Sequence, residues 1–117
     1  MLMKIEPLTE SYFYILLCMY REASHGYGIM QETLRLSKGR VKIGSGTMYG
    51  AVSNMMKKGW INEVKCMGTD EKNKRMYELT EIGRGVLEAE INRLYELVDS
   101  ADQVTGHIQP TVSEVSI

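Results

Sequence analysis

Residues 60–65 and 75–79 alternate apolar and polar side chains around a polar stretch, Gly68-Thr69-Asp70-Glu71-Lys72-Asn73-Lys74. A period of two marks a strand with one buried face, and two such runs about a turn-forming link read as a β-hairpin with a long tip. A lone hairpin is marginal in water and needs other elements to cover it. The rest of the chain repeats mostly at three and four residues, the spacing of helices. The expected class is therefore α+β, mainly α.

The helical segments carry their own punctuation. The first spans about residues 9–22, with Tyr12, Ile15, Leu16, Met19 and Tyr20 on one face, Thr9 as N-cap and Glu10 in the first turn. Phe13 and Leu17 add a second apolar stripe, and a helix apolar nearly all round is buried from several directions. Ser24-His25-Gly26 breaks it, with His25 reading as a capping or packing residue. A second helix starts at Gly26 or Tyr27 and stops at Ser37-Lys38-Gly39, its inner face Tyr27, Ile29, Met30 and Leu34. Residues 40–43 alternate and predict a short strand. Ser45 is the expected N-cap of a third helix, residues 47–58, that buries Met48, Val52, Met55 and Met56 and ends at Gly59. Thr80 opens a last helix in which Leu87, Ile91, Leu94, Val98 and Ala101 follow each other by 4, 3, 4 and 3 residues, a heptad seam. After Gly106 periodicity ends, and residues 106–117 are expected to be a disordered tail.

The net charge of −1 hides a division along the chain. Residues 35–75 hold ten Lys/Arg against three Asp/Glu, whereas residues 80–117 hold two Arg against seven acidic residues. A basic middle is the footprint expected of a phosphate-binding surface. Among 117 residues there is no run of the roughly 18–20 apolar residues needed to span a bilayer, and no secretory signal pattern. Cys18 and Cys66 form no CxxC pair. The chain is expected in the cytoplasm, without membrane, metal or cofactor. No carboxylate pair, nucleophile–base set or phosphate loop suggests an enzyme.

Helix, helix, short strand, helix, hairpin, helix is the element order of a winged helix-turn-helix. Residues 1–79 are expected to form that DNA-binding domain and residues 80–105 a dimerisation helix. In such a fold a helix enters the major groove and its exposed N-terminal residues meet base edges and phosphates. The third helix suits this, because its outer residues Ser45, Thr47, Tyr49, Gly50, Ser53 and Asn54 are small or hydrogen-bonding. The expected DNA contacts are Tyr27, Gln31, Ser45, Thr47, Tyr49, Ser53 and Lys57, with Lys72, Lys74 and Arg75 on the wing.

The motifs Leu8-Thr9-Glu10, Tyr12-Phe13-Tyr14-Ile15-Leu16 and His25-Gly26-Tyr27-Gly28-Ile29 resemble the opening of PadR-type transcriptional regulators. Gly46-Thr47-Met48-Tyr49, Gly59-Trp60-Ile61 and Arg75-Met76-Tyr77-Glu78-Leu79-Thr80-Glu81-Ile82-Gly83 are similar to later motifs of that family, in the same order. The resemblance covers about residues 8–100. It implies a dimeric winged helix-turn-helix repressor of the short form, with a single C-terminal helix, and DNA-facing roles for Tyr27, Thr47 and Tyr49. Some short members stack aromatic drugs between tryptophans of the last helix. The matching position here is Leu94, beside Tyr95, and the single tryptophan is Trp60.

These readings lead to a homodimer that binds a pseudo-palindromic DNA operator as a ligand-responsive repressor. The expected dimer surface is Leu87, Ile91, Leu94 and Val98 with Tyr12 and Leu16. The expected effector pocket is Tyr12, Ile15, Met19, Leu94 and Tyr95, suited to an apolar or phenolic molecule. The rival is a winged-helix protein–protein interaction module without DNA binding, against which the basic middle argues.

Overall fold

The computed structural model describes residues 6–65 and 75–110. Seven elements follow one another: α1 (Glu10–Cys18), β1 (Ser24–His25), α2 (Gly26–Leu36), α3 (Ser45–Lys57), β2 (Ile61–Val64), β3 (Met76–Leu79) and α4 (Glu81–Thr105). Among the described residues the strands form one antiparallel sheet of order β1-β3-β2. Ile61 pairs with Leu79 at the hairpin base and Val64 with Met76 at its loop end, so the expected hairpin is present. The polar stretch between its strands lies outside the described residues.

The caps explain where three of the helices begin. The Thr9 hydroxyl accepts the Tyr12 N–H at 3.1 Å, the His25 Nδ1 accepts the Gly28 N–H at 3.1 Å, and the Thr80 hydroxyl accepts the Gly83 N–H at 3.0 Å. Each satisfies an amide that the first turn leaves without a helical partner. At the other end of α4, Gly106 takes a left-handed φ of 80°, and Gly59, at φ 77°, turns the chain from α3 into β2. Both are positions that a glycine adopts without steric cost.

Several local expectations are corrected. Helix α1 ends at Cys18 instead of Glu22. Ser45 lies inside α3, and Gly44 occupies the cap position without a side-chain bond. Residues 40–43, expected as a short strand, form none. The third strand is instead Ser24–His25, which takes the free edge of β3 by pairing Ser24 with Tyr77 and His25 with Met76. Ile43 is still buried, so its alternation reflects an anchored turn. Finally, α2 buries Gly26, Ile29 and Thr33, while Tyr27 is 64% exposed. On α3, Ala51 is buried and Met56 partly exposed.

One core joins all layers. Ile15, Leu16 and Met19 of α1 meet Ile29 of α2 and Met48, Val52 and Met55 of α3, with Ile61, Tyr77 and Leu87 closing the sheet and α4 sides. Full burial of such a side chain contributes roughly 1.5–3 kcal/mol. Helix α4 belongs to this core only in its first half, through Gly83, Leu87 and Glu90. At about 1.5 Å per residue its 25 residues outrun the domain beneath them.

Candidate nucleic-acid interface

Helices α2 and α3 form the helix-turn-helix, joined by residues 37–44. The joint is tight: Lys38 and Gly39 take φ of 56° and 81°, and the Ser37 hydroxyl accepts the Val41 N–H at 2.9 Å. With Met48, Ala51, Val52 and Met55 turned into the core, α3 presents Ser45, Thr47, Tyr49, Gly50, Ser53 and Lys57, all exposed. Small side chains at the head of this ridge let its backbone approach a duplex, and the amides of its first turn favour a phosphate. Tyr49 is 53% exposed yet also packed: its hydroxyl lies 3.1 Å from where a Cβ of Gly26 would stand. The start of α2, with exposed Tyr27 and Gln31, is thereby held against α3. Seven of the residues expected at DNA thus occupy two adjoining exposed helix faces.

The basic groups divide by their partners. Arg35 is tied to Glu32, whose carboxyl is lowered by that hydrogen bond, and Arg40 is tied to Glu10 at 2.7 Å. Arg75 stands 3.8 Å from Glu63 across the loop end of the hairpin strands, an exposed pair too weak to withhold the cation from a phosphate. Lys72 and Lys74 lie outside the described residues. Lys38 and Lys42, which the sequence reading passed over, are exposed in the turn that leads into α3. Their signal was available: basic residues in the link between two helices of such a pair stand beside the groove-entering helix. Among the described residues no group of three His, Cys, Asp or Glu could hold a metal. Burial pushes the Cys18 thiol up, which makes it a poor nucleophile.

The residues expected at a dimer seam separate into two sets. Leu16 and Leu87 are fully buried within one chain and add no area to a second copy, which corrects that part of the expected surface. Leu94 and Val98 are 37% and 58% exposed, Ile91 and Tyr12 are half-buried, and Leu97, Val104 and Ile108 extend an apolar stripe along the far half of α4 and beyond it.

The expected effector set does not enclose one space. Ile15 and Met19 are core residues and Tyr95 is 71% exposed; only Tyr12 lines a groove, of about 690 Å³, with Pro7, Leu8, Trp60, Ile82 and Val86. Sequence reasoning missed it because Trp60 and Ile82 are brought together by a glycine contact between α4 and β2.

The profile of the transcriptional regulator PadR-like family matches residues 15–89. The chain belongs to the PadR-like family. This PadR regulator is similar in fold to a PadR family transcription regulator from Clostridium difficile, with 21% identity and a TM-score of 0.69 over 81% of this chain and 97% of that one. It is also similar to a transcriptional regulator from Clostridium thermocellum, at 18% identity and TM-score 0.68 over 81% and 89% of the two chains. A PadR-like transcription factor from Bacteroides fragilis gives 19% and 0.66 over 80% and 88%. No curated protein matches the chain. Family and fold make this PadR protein a DNA-binding transcription regulator, the reading that the interaction-module rival denied. No helix among the described residues is long and apolar enough to cross a membrane.

Proposed function

We propose that this PadR regulator is a homodimeric repressor that reads a pseudo-palindromic operator with α3 and leaves it when an apolar or phenolic molecule binds. The observation that carries the dimer is the bare far half of α4, where Leu94, Leu97, Val98 and Val104 lie exposed together. An apolar stripe of that kind marks an interaction surface, and the apolar groove beside Tyr12 and Trp60 has the character to receive it from a second copy. Two reading helices related by a two-fold axis then meet half-sites about one helical turn apart.

The effector reading follows from the same docking. With the second copy's α4 laid over the groove, Tyr12 of one chain faces Leu94 and Tyr95 of the other, and two phenol hydroxyls stand as polar handles in an apolar junction. A ligand there biases the dimer toward a half-site spacing that DNA does not fit. The repressor sign is supported by the motifs shared with a family made mainly of repressors. Footprinting on the DNA upstream of the protein's own gene, followed by gel shift with a panel of phenols and drugs, tests the whole reading. A protected palindrome released by a panel compound is the expected result; uniform binding without a footprint would overturn operator reading.

A further inference from the structure

The groove at the crossing of α1 and α4 shares its walls with the supports of the reading helix. Tyr12 lines it, and the Tyr12 hydroxyl accepts a hydrogen bond from Asn54 Nδ2 of α3 at 3.0 Å. The Tyr12 ring meets Trp60 edge to face, with centroids 6.4 Å apart and planes at 89°. Trp60 is in turn attached to the end of α3: its backbone N–H donates to the Met55 carbonyl at 2.9 Å, and Lys58 Nζ lies 5.4 Å from its ring centre. Asn54 and Met55 on the last turn of α3, and Lys58 at its C-cap, therefore all contact the two residues whose rings line the groove. Among the described residues Asn54 is the one member of α3's polar set that bonds back to α1, and that bond ties the last turn of α3 to Tyr12.

We infer that Tyr12 is a positioning residue for DNA reading, and that through its hydroxyl the filling of this groove sets where α3 sits. The occupant, α4 of a second copy, rests on the dimer proposed above; the link itself does not. Coupling between two sites is reciprocal, so DNA held by α3 is felt in the groove, where the only tryptophan of the chain stands as a reporter.

The test uses the full chain, an operator duplex selected from a random pool, a random-sequence duplex, and the variants Tyr12→Phe, Asn54→Ala and their combination. Tyr12→Phe should stay dimeric in sedimentation and bind the selected duplex about fivefold more weakly, the worth of one net hydrogen bond, while random-duplex affinity barely moves. In the Asn54→Ala background Tyr12→Phe should add nothing, as for two members of one interaction. Trp60 emission should change when wild-type protein binds the selected duplex and lose most of that response in either single variant. The link is overturned if Tyr12→Phe binds as wild type, if its effect persists undiminished beside Asn54→Ala, or if Trp60 emission ignores the duplex. A monomeric wild-type protein sinks the dimer reading instead, and the cycle then decides the link by itself.

Discussion

A Cβ placed on Gly83 would stand 2.0 Å from the carbonyl oxygen of Trp60. The first turn of α4 thus lies directly on the backbone that enters β2, where the Thr80 N–H donates to the same Trp60 oxygen at 3.0 Å and the Thr80 hydroxyl donates to the Gly59 oxygen at 2.6 Å. Because the obstacle is backbone, no side-chain rotation relieves it. Gly83→Ala should destabilise the fold by about 3 kcal/mol or more, as overpacking of a rigid site does. Gly85→Ala, where an added Cβ meets nothing within 4 Å, should stabilise by up to about 1 kcal/mol through helix propensity. Urea unfolding of the two variants checks both signs.

Glu90 supplies a pH-dependent contribution. It is 2% exposed, accepts the Leu8 N–H at 3.2 Å, and is gripped by Arg93 through bonds of 2.8 and 2.7 Å. The Arg93 hydrogen bonds, against the opposing effect of burial, hold its carboxyl below the usual range. A depressed folded value means the stabilisation is complete above the unfolded Glu value of about 4.3 and fades as pH falls through the folded one. Glu90→Gln should cost roughly 1–3 kcal/mol at pH 7, with the melting gap from wild type closing toward pH 3. A gap constant across that range would show that the carboxylate charge contributes nothing.

The two sets of α4 leucines should fail differently. Leu87, fully buried, gives Leu87→Ala a loss of about 2–5 kcal/mol of protomer stability. Leu94, exposed on the single chain, should tolerate Leu94→Asp in folding while the dimer is lost, since two charges then enter an apolar seam at several kcal/mol. Circular dichroism and sedimentation separate the outcomes. A Leu94→Asp protein still dimeric at micromolar concentration would refute the far half of α4 as the seam.

Readers and holders of DNA should likewise part. Tyr49→Ala should lower the ratio of selected to random duplex affinity by about tenfold, the scale of a base-edge contact. Lys42→Ala and Lys74→Ala should weaken both duplexes alike and reduce the salt slope by about one each. Affinity titrations at several salt concentrations measure both. An unchanged ratio in Tyr49→Ala would mean that α3 is not the reader.

What the sequence determined by itself is whatever adjacent residues decide together. Thr9 and Thr80 cap their helices, and Gly59 and Gly106 turn the chain, because the groups they satisfy lie within a few positions. The exposed ridge of α3 and the hairpin were legible from period alone, since each face is set by bond geometry. Tertiary structure decided what depends on a remote partner. Ser24–His25 became a strand because β3 offered an edge some fifty residues away, whereas residues 40–43, though alternating, pair with no strand among the described residues. The seam from Leu87 to Val98 looks uniform in sequence, yet packing against α1 and the sheet buries its first member and leaves its last bare. The groove beside Tyr12 and Trp60 could not be read at all, because it exists only where Gly83 lets α4 descend onto β2. Local hydrogen bonds and periodicity act between neighbours in the chain; burial is a property of whatever else arrives in the same place.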